Sequence, residues 1–235
     1  MIKKILKTII LFIVILSSLF LFYTADYYKA DNKAKTILET NRNIEFKDNY
    51  TLLKPSDNNN NNNNNTAIIF YPGAKVEYSA YLPLLTKLSE KGYTVINMEM
   101  PFYMAIFNKN AADEIIGKLN NINSYYIAGH SMGGAMASSY ASANKDKISG
   151  LILLGAYIYG DYPPSKTLTI YGSLNTSIEK KLTYNDNIVK IDGGNHAAFG
   201  NYGHQYGDAP ATISDEKQQD EAIKAINNFI ENGKI

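Results

Sequence analysis

Apolar positions fall into three regimes along the 235-residue chain. From Ile5 to Tyr23, "ILKTIILFIVILSSLFLFY", apolar residues are nearly continuous and Lys7 is the only charge. A run apolar on every helical face and about this long suits a bilayer span better than a buried core helix. Residues 1–24 are therefore expected to form a membrane anchor, with residues 5–23 in the bilayer. Lys3, Lys4 and Lys7 gather at its start. That bias places the N-terminus in the cytoplasm and the rest of the chain on the outer side. The alternative is a cleaved signal peptide and a secreted protein. Its apolar region would be shorter and followed by small residues, whereas only Ala25 and Ala30 offer such sites, beside bulky or charged neighbours.

The second regime is polar. Residues 25–42 are lysine-rich with a short helical pattern and read as a stalk. After Asn43, apolar residues alternate at Ile44, Phe46, Tyr50 and Leu52, as in a half-buried strand or hairpin. Asn58 to Asn65 is unbroken asparagine, so residues 57–66 are expected to be a disordered, solvated loop.

From Thr66 onward short apolar runs alternate with amphipathic ones. "TAIIFYP", "YTVINMEMP", "SYYIAG", "GLILLGAY", "KTLTIYGS" and "NIVKIDGG" read as strands. "SAYLPLLTKLSEKG" reads as a helix with Tyr81, Leu84, Leu85 and Leu88 on one face, Ser79 as N-cap and Gly92 as its stop. "NAADEIIGKLN" gives a short helix with Ile115, Ile116 and Leu119 inward, and Ser214 to Gly233 a final one. Strands separated by helices pair in parallel through right-handed crossovers. The expectation is one three-layer α/β sandwich, residues 43–235, behind the anchor.

Composition narrows the chemistry. With 23 basic and 22 acidic residues the net charge is +1, so no global field favours nucleic acid. No cysteine is present, which excludes disulfides, thiolate nucleophiles and thiolate zinc sites. Three histidines in different settings make no metal cluster, and "GHSMGG" lacks the lysine and glycine spacing of a phosphate loop. The nineteen tyrosines scatter over strands and loops, as core and rim residues do.

One motif does carry chemistry. Gly129-His130-Ser131-Met132-Gly133 is a complete G-x-S-x-G between a strand and a helix rich in small residues, Gly133, Gly134, Ala135 and Ala137. A sharp strand-to-helix turn exposes such a serine at the C-terminal edge of a sheet, and the helix N-terminus directs N–H groups at the same place. Ser131 is the candidate nucleophile.

"GHSMGG" resembles the nucleophile elbow of the α/β-hydrolase superfamily, over about Ile44 to Ile230. More narrowly, "IIFYPGAKVEYSAYLPLL" and "IDGGNHAAFGNYGHQYGD" resemble the small alpha/beta hydrolase fold-5 family, which has little or no cap. The resemblance implies the chain order serine, acid, histidine. His196, directly after the strand "IVKIDGG", then falls where the general base is expected. His204 is the reserve, and His130 should point away from the nucleophile. The implied oxyanion donors are the backbone N–H groups of Met132 and of Ala74, with Gly73 freeing the turn.

The acid departs from the family pattern. Where Gly-Ser-x-Asp is expected, the chain reads Gly172-Ser173-Leu174-Asn175. Asn175 can accept a hydrogen bond but cannot stabilise an imidazolium by charge. Asp161 and Glu179 are the replacement candidates, while Asp208 suits a structural role in the histidine loop.

The resemblance implies a serine hydrolase that attacks a small-molecule ester or related acyl bond through a Ser131 acyl-enzyme, without a cofactor. A binding or scaffold protein that lost its acid is the alternative. The short span between "GLILLGAY" and "KTLTIYGS" leaves little chain for a lid, so an open, shallow site is expected. Membrane proximity adds envelope or lipid-derived esters by association.

Overall fold

The computed structural model describes residues 1–55 and 65–235; most of the asparagine segment, for which a disordered loop was expected, lies outside them. Eight strands form one sheet: β1 (Ile44–Phe46), β2 (Tyr50–Leu53), β3 (Thr66–Tyr71), β4 (Thr94–Met98), β5 (Ser124–His130), β6 (Gly150–Leu154), β7 (Thr167–Gly172) and β8 (Ile188–Ile191). Their spatial order is β1-β2-β4-β3-β5-β6-β7-β8. β1, β2 and β4 pair antiparallel, and from β4 to β8 every pair is parallel. β3, β5, β6 and β7 are almost wholly buried, which is why they read as continuous apolar runs rather than alternating ones.

Helices cover both faces. α3 (Leu82–Glu90) and α6 (Asp215–Asn232) pack on one side and α4 (Met132–Ala143) on the other. α6 is capped as its sequence suggests: the Ser214 side chain accepts from the Lys217 N–H and Gly233 ends the helix at φ 70°. The α3 region differs from expectation at its start. Tyr78–Tyr81 is a 3-10 turn and the α-helix begins at Leu82. Ser79 is not the cap, since its hydroxyl donates to Glu77 at 2.6 Å. The helix expected in "NAADEIIGKLN" is also absent. A 3-10 turn, Ala111–Glu114, gives way to turns around Gly117 at φ 77°, and Ile115 alone of its three expected inward residues is fully buried. No inserted cap follows β6, because only twelve residues, 155–166, separate it from β7.

α1 (Ile2–Ala25) has one buried residue, Thr24, and is apolar enough to cross a membrane. The segment expected as a stalk does not stand free. It holds α2 (Asn32–Thr40), capped by Asp31, with Ala30 and Ala34 buried in the α3 and α6 core. Its backbone is paired to the loop after β3 by Tyr28 N–H to the Lys75 carbonyl (2.7 Å) and Glu77 N–H to the Tyr28 carbonyl (2.9 Å).

Candidate active site

Parallel pairing brings the C-terminal ends of β3, β5, β6, β7 and β8 to one edge of the sheet, and the candidate residues lie in the loops that leave it. Ser131 sits between β5 and α4 at φ 53° and ψ −121°, a region that costs a non-glycine residue ~1–3 kcal/mol. Its surroundings enforce that geometry. The Ser131 N–H donates to the Leu154 carbonyl at 3.0 Å, and its own carbonyl accepts from Ala135 at 3.1 Å. A Cβ on Gly133 would lie 2.1 Å from the Tyr71 carbonyl oxygen and 2.3 Å from that of Pro72. The second glycine of the motif is thus required because α4 begins against the loop after β3.

That loop has one N–H to spare. The Gly73 N–H donates to the Tyr81 hydroxyl at 3.1 Å and the Lys75 N–H to the Tyr103 carbonyl at 2.8 Å. Among the described residues the N–H groups of Ala74, between them, and of Met132, in the first turn of α4, have no partner. They are the two expected from sequence as oxyanion donors, and a helix N-terminus adds its positive end.

His196 follows β8 and Gly193-Gly194. Its ring is placed beside the elbow: a Cβ on Gly155 would stand 2.8 Å from Nδ1, and Gly155 adjoins the Leu154 carbonyl that accepts from Ser131. The ring centroid is 4.6 Å from that of His130, the residue before the serine. Burial holds the His196 pKa below the ordinary histidine value, with Asp208 acting the other way. Its imidazole is therefore neutral, and able to take a proton, at neutral pH.

Asn175 stands where the chain order places the acid, with its side-chain amide nitrogen 2.8 Å from His196 Nδ1. Ser177 Oγ donates to Asn175 Oδ1 at 2.8 Å. An amide N–H directed at Nδ1 puts the ring proton on Nε2. Turning the amide by 180° makes Oδ1 the acceptor of Nδ1–H and frees Nε2. The Ser177 hydroxyl can donate or accept, so it serves either orientation.

The other acid candidates are elsewhere. The Asp161 carboxylate is 96% exposed and pairs with Lys145. Glu179 accepts from the Tyr171 hydroxyl and pairs with Lys190. Neither meets His196, because the loop after β6 turns outward and the short α5 (Thr176–Glu179) directs Glu179 towards β8. Asp208 has the structural part expected of it, accepting from the N–H groups of His196 (3.2 Å) and Ala197 (2.7 Å). His204 is exposed.

His130 has a part that its sequence position did not suggest. It is buried, with Nε2 2.9 Å from the His196 carbonyl and Nδ1 2.8 Å from the Tyr81 hydroxyl. A carbonyl only accepts, so Nε2 carries the proton and Nδ1 accepts from Tyr81, whose oxygen in turn accepts from Gly73 N–H. One chain of hydrogen bonds thus joins the loop after β3, the residue before Ser131 and the loop after β8. Burial, with His196 as neighbour, holds the His130 pKa well below the ordinary value and keeps it neutral. Tyr81 read only as a helix-face core residue, and no local pattern marks its hydroxyl. An open groove of about 1310 Å³ between α3 and α6, lined in part by Lys87, Asp220, Ile223 and Ile235, includes none of these residues.

A family model described as the alpha/beta hydrolase family matches residues 67–220. No curated protein matches the chain by sequence. Among solved structures it is similar to Est1E from Butyrivibrio proteoclasticus (16% identity, TM-score 0.52, covering 81% of this chain and 97% of that one). It is also similar to a soluble variant of monoglyceride lipase from Saccharomyces cerevisiae (12%, TM-score 0.56, 82% and 95%). A CIB-like hydrolase from Thermoplasma acidophilum gives 18% and 0.52, with 80% and 96% covered. The residues matched by the family model run from β3 into α6. With a left-handed serine between β5 and α4 and a histidine after the last strand, the chain belongs to the alpha/beta hydrolase family.

Proposed function

We propose that the protein is a membrane-anchored serine hydrolase acting on an ester or related acyl bond. The observation that carries this is the gathering at one sheet edge of a strained serine, a partly buried histidine whose pKa is lowered, and two unpartnered N–H groups. Ser131 Oγ attacks the acyl carbon while His196 Nε2 takes its proton. The oxyanion accepts from Ala74 and Met132, and His196 then protonates the leaving group. Water, activated by the same imidazole, hydrolyses the acyl-enzyme and restores the serine. Asn175, with Oδ1 towards Nδ1–H, orients the ring without supplying charge. The monoglyceride lipase among its structural neighbours supports an ester substrate. A fluorophosphonate probe tests the reading. Native protein should be labelled and Ser131→Ala should not; equal labelling, or none of the native protein, would refute it.

A second reading, a binding protein on a hydrolase scaffold, is favoured by Asn175 alone. Negligible native turnover together with a large gain in Asn175→Asp would support it.

A further inference from the structure

The surface next to the oxyanion loop is apolar and continuous with the anchor. The segment after β4, "PFYMAIFN", exposes Phe102 (45%), Ile106 (55%) and Phe107 (49%). Phe102 and Tyr103 take left-handed backbone angles, φ 54° and 57°, a strained conformation for non-glycine residues. That conformation brings the Tyr103 carbonyl to the Lys75 N–H and leaves the Phe102 ring outside the core. Phe20 of α1 meets Phe102 and Phe107 edge-on, with centroids 5.0 and 5.6 Å apart. Tyr27 stacks on Tyr103 at 3.8 Å, and Lys75 Nζ lies 4.2 Å over the Tyr23 ring. Tyrosine rings and a lysine beside apolar phenylalanines are the composition of a membrane interface.

Chain length makes the arrangement compulsory. α1 ends at Ala25 and Tyr28 is already paired with the oxyanion loop. Three residues reach at most ~11 Å, so the catalytic edge cannot stand away from the point where the helix leaves the bilayer. α1 has 24 residues, about 36 Å of helix against a hydrocarbon core of roughly 30 Å. Spanning that core, α1 would bring its last turn, with Tyr23, and Tyr27 two residues beyond it, out among the headgroups.

We propose that Phe102, Ile106 and Phe107, continuous with the end of α1, seat the catalytic edge in the bilayer surface, so that the substrate is the ester of an amphiphile held in that surface. The substrate class rests on the hydrolase reading above; the seating does not. With no cap inserted after β6 to enclose an acyl chain, the bilayer itself keeps most of the chain solvated while the ester reaches Ser131. Apolar burial at the three exposed side chains adds a favourable term that needs only to orient an already tethered domain.

The chain contains no tryptophan, so a single one reports position. Full-length Phe107→Trp and Ile235→Trp proteins would be reconstituted into phosphatidylcholine vesicles with and without brominated acyl chains. Ile235 lies at the opposite end of the sheet, its N–H bonded to Asn187 just before β8. Bromine should quench the Phe107→Trp emission severalfold more than that of Ile235→Trp. Equal quenching would overturn the seating, as would cross-linking between two copies through this patch. For the substrate class, the triple variant Phe102→Ser, Ile106→Ser, Phe107→Ser is compared with the native chain. It should lose at least about tenfold in turnover of a long-chain ester carried in vesicles and little on a short soluble ester. Equal loss on both esters, or none on either, would overturn the substrate class. Native protein that hydrolyses neither ester would refute the hydrolase reading, while the quenching still reports the seating.

Discussion

Replacing Asn175 by aspartate would turn a neutral partner of His196 into a charged one at a place already built for it. One carboxylate oxygen would accept from Nδ1–H, across the 2.8 Å now spanned by the amide. The other would keep the Ser177 hydroxyl at 2.8 Å. The proton on Nδ1 would then be fixed and Nε2 left free. With ~4 Å between the carboxylate charge and the imidazolium centre and an effective dielectric of about 20, attraction in the charged state is ~4 kcal/mol. That corresponds to about 10³ in rate if realised in the transition state. Loss of a triad aspartate to asparagine costs about 10⁴ in the serine-protease case, so kcat/KM of Asn175→Asp should rise roughly 10²- to 10⁴-fold. The pH profile provides a second reading. With His196 as the proposed base, turnover needs its neutral form, and burial lowers its pKa, so native activity should persist below the ordinary histidine value of about 6.5. It should fall only as the pH drops through the lowered pKa. The new carboxylate favours the imidazolium and moves that acidic limb to higher pH. Steady-state kinetics on a soluble ester between pH 4 and 9, a range of roughly that width around the histidine value, would measure both. An unchanged kcat/KM with an unmoved limb would refute the assignment of Asn175 to the acid position.

Other substitutions test the framework around the serine. Tyr81→Phe removes the donor to His130 Nδ1 and the acceptor of Gly73 N–H, leaving buried polar groups unpaired. A loss of about 1–3 kcal/mol is expected in chemical denaturation, with kcat reduced more than KM as the loops after β3 and β8 lose register. Unchanged stability would contradict the hydrogen-bond chain. Gly133→Ala sets a Cβ against the Tyr71 and Pro72 carbonyls and should abolish fluorophosphonate labelling or soluble expression. Native-like labelling of this variant would show that α4 does not need its close approach to the loop after β3.

The long apolar helix and the strand, turn and helix around Ser131 were legible from residues 5–23 and 124–143, because each rests on periodicity and turn chemistry within about twenty residues. Local pattern failed where it had no tertiary partner to consult. "NAADEIIGKLN" has helical spacing, yet Gly117 adopts φ 77° and the segment forms turns against α4 and the sheet. Residues 25–42 are polar enough for a stalk, but burial of Ala30 and Ala34 and pairing of Tyr28 tie them to the domain.

For the site, the chain by itself placed the candidate serine in its strand-to-helix turn, the histidine after the last strand and the asparagine after β7, since the order of these residues follows the order of strands. Only the tertiary structure decided which groups meet. Tyr81 and His130 are 49 residues apart, and His130 and His196 are 66 apart. Their contacts exist because parallel pairing carries the ends of β3, β5 and β8 to one edge. The same pairing leaves Asp161 and Glu179 to lysines at the surface, and sets the aromatic segment after β4 beside the end of α1. No short-range rule encodes these encounters, because each depends on where a crossover returns the chain rather than on the residues next to it.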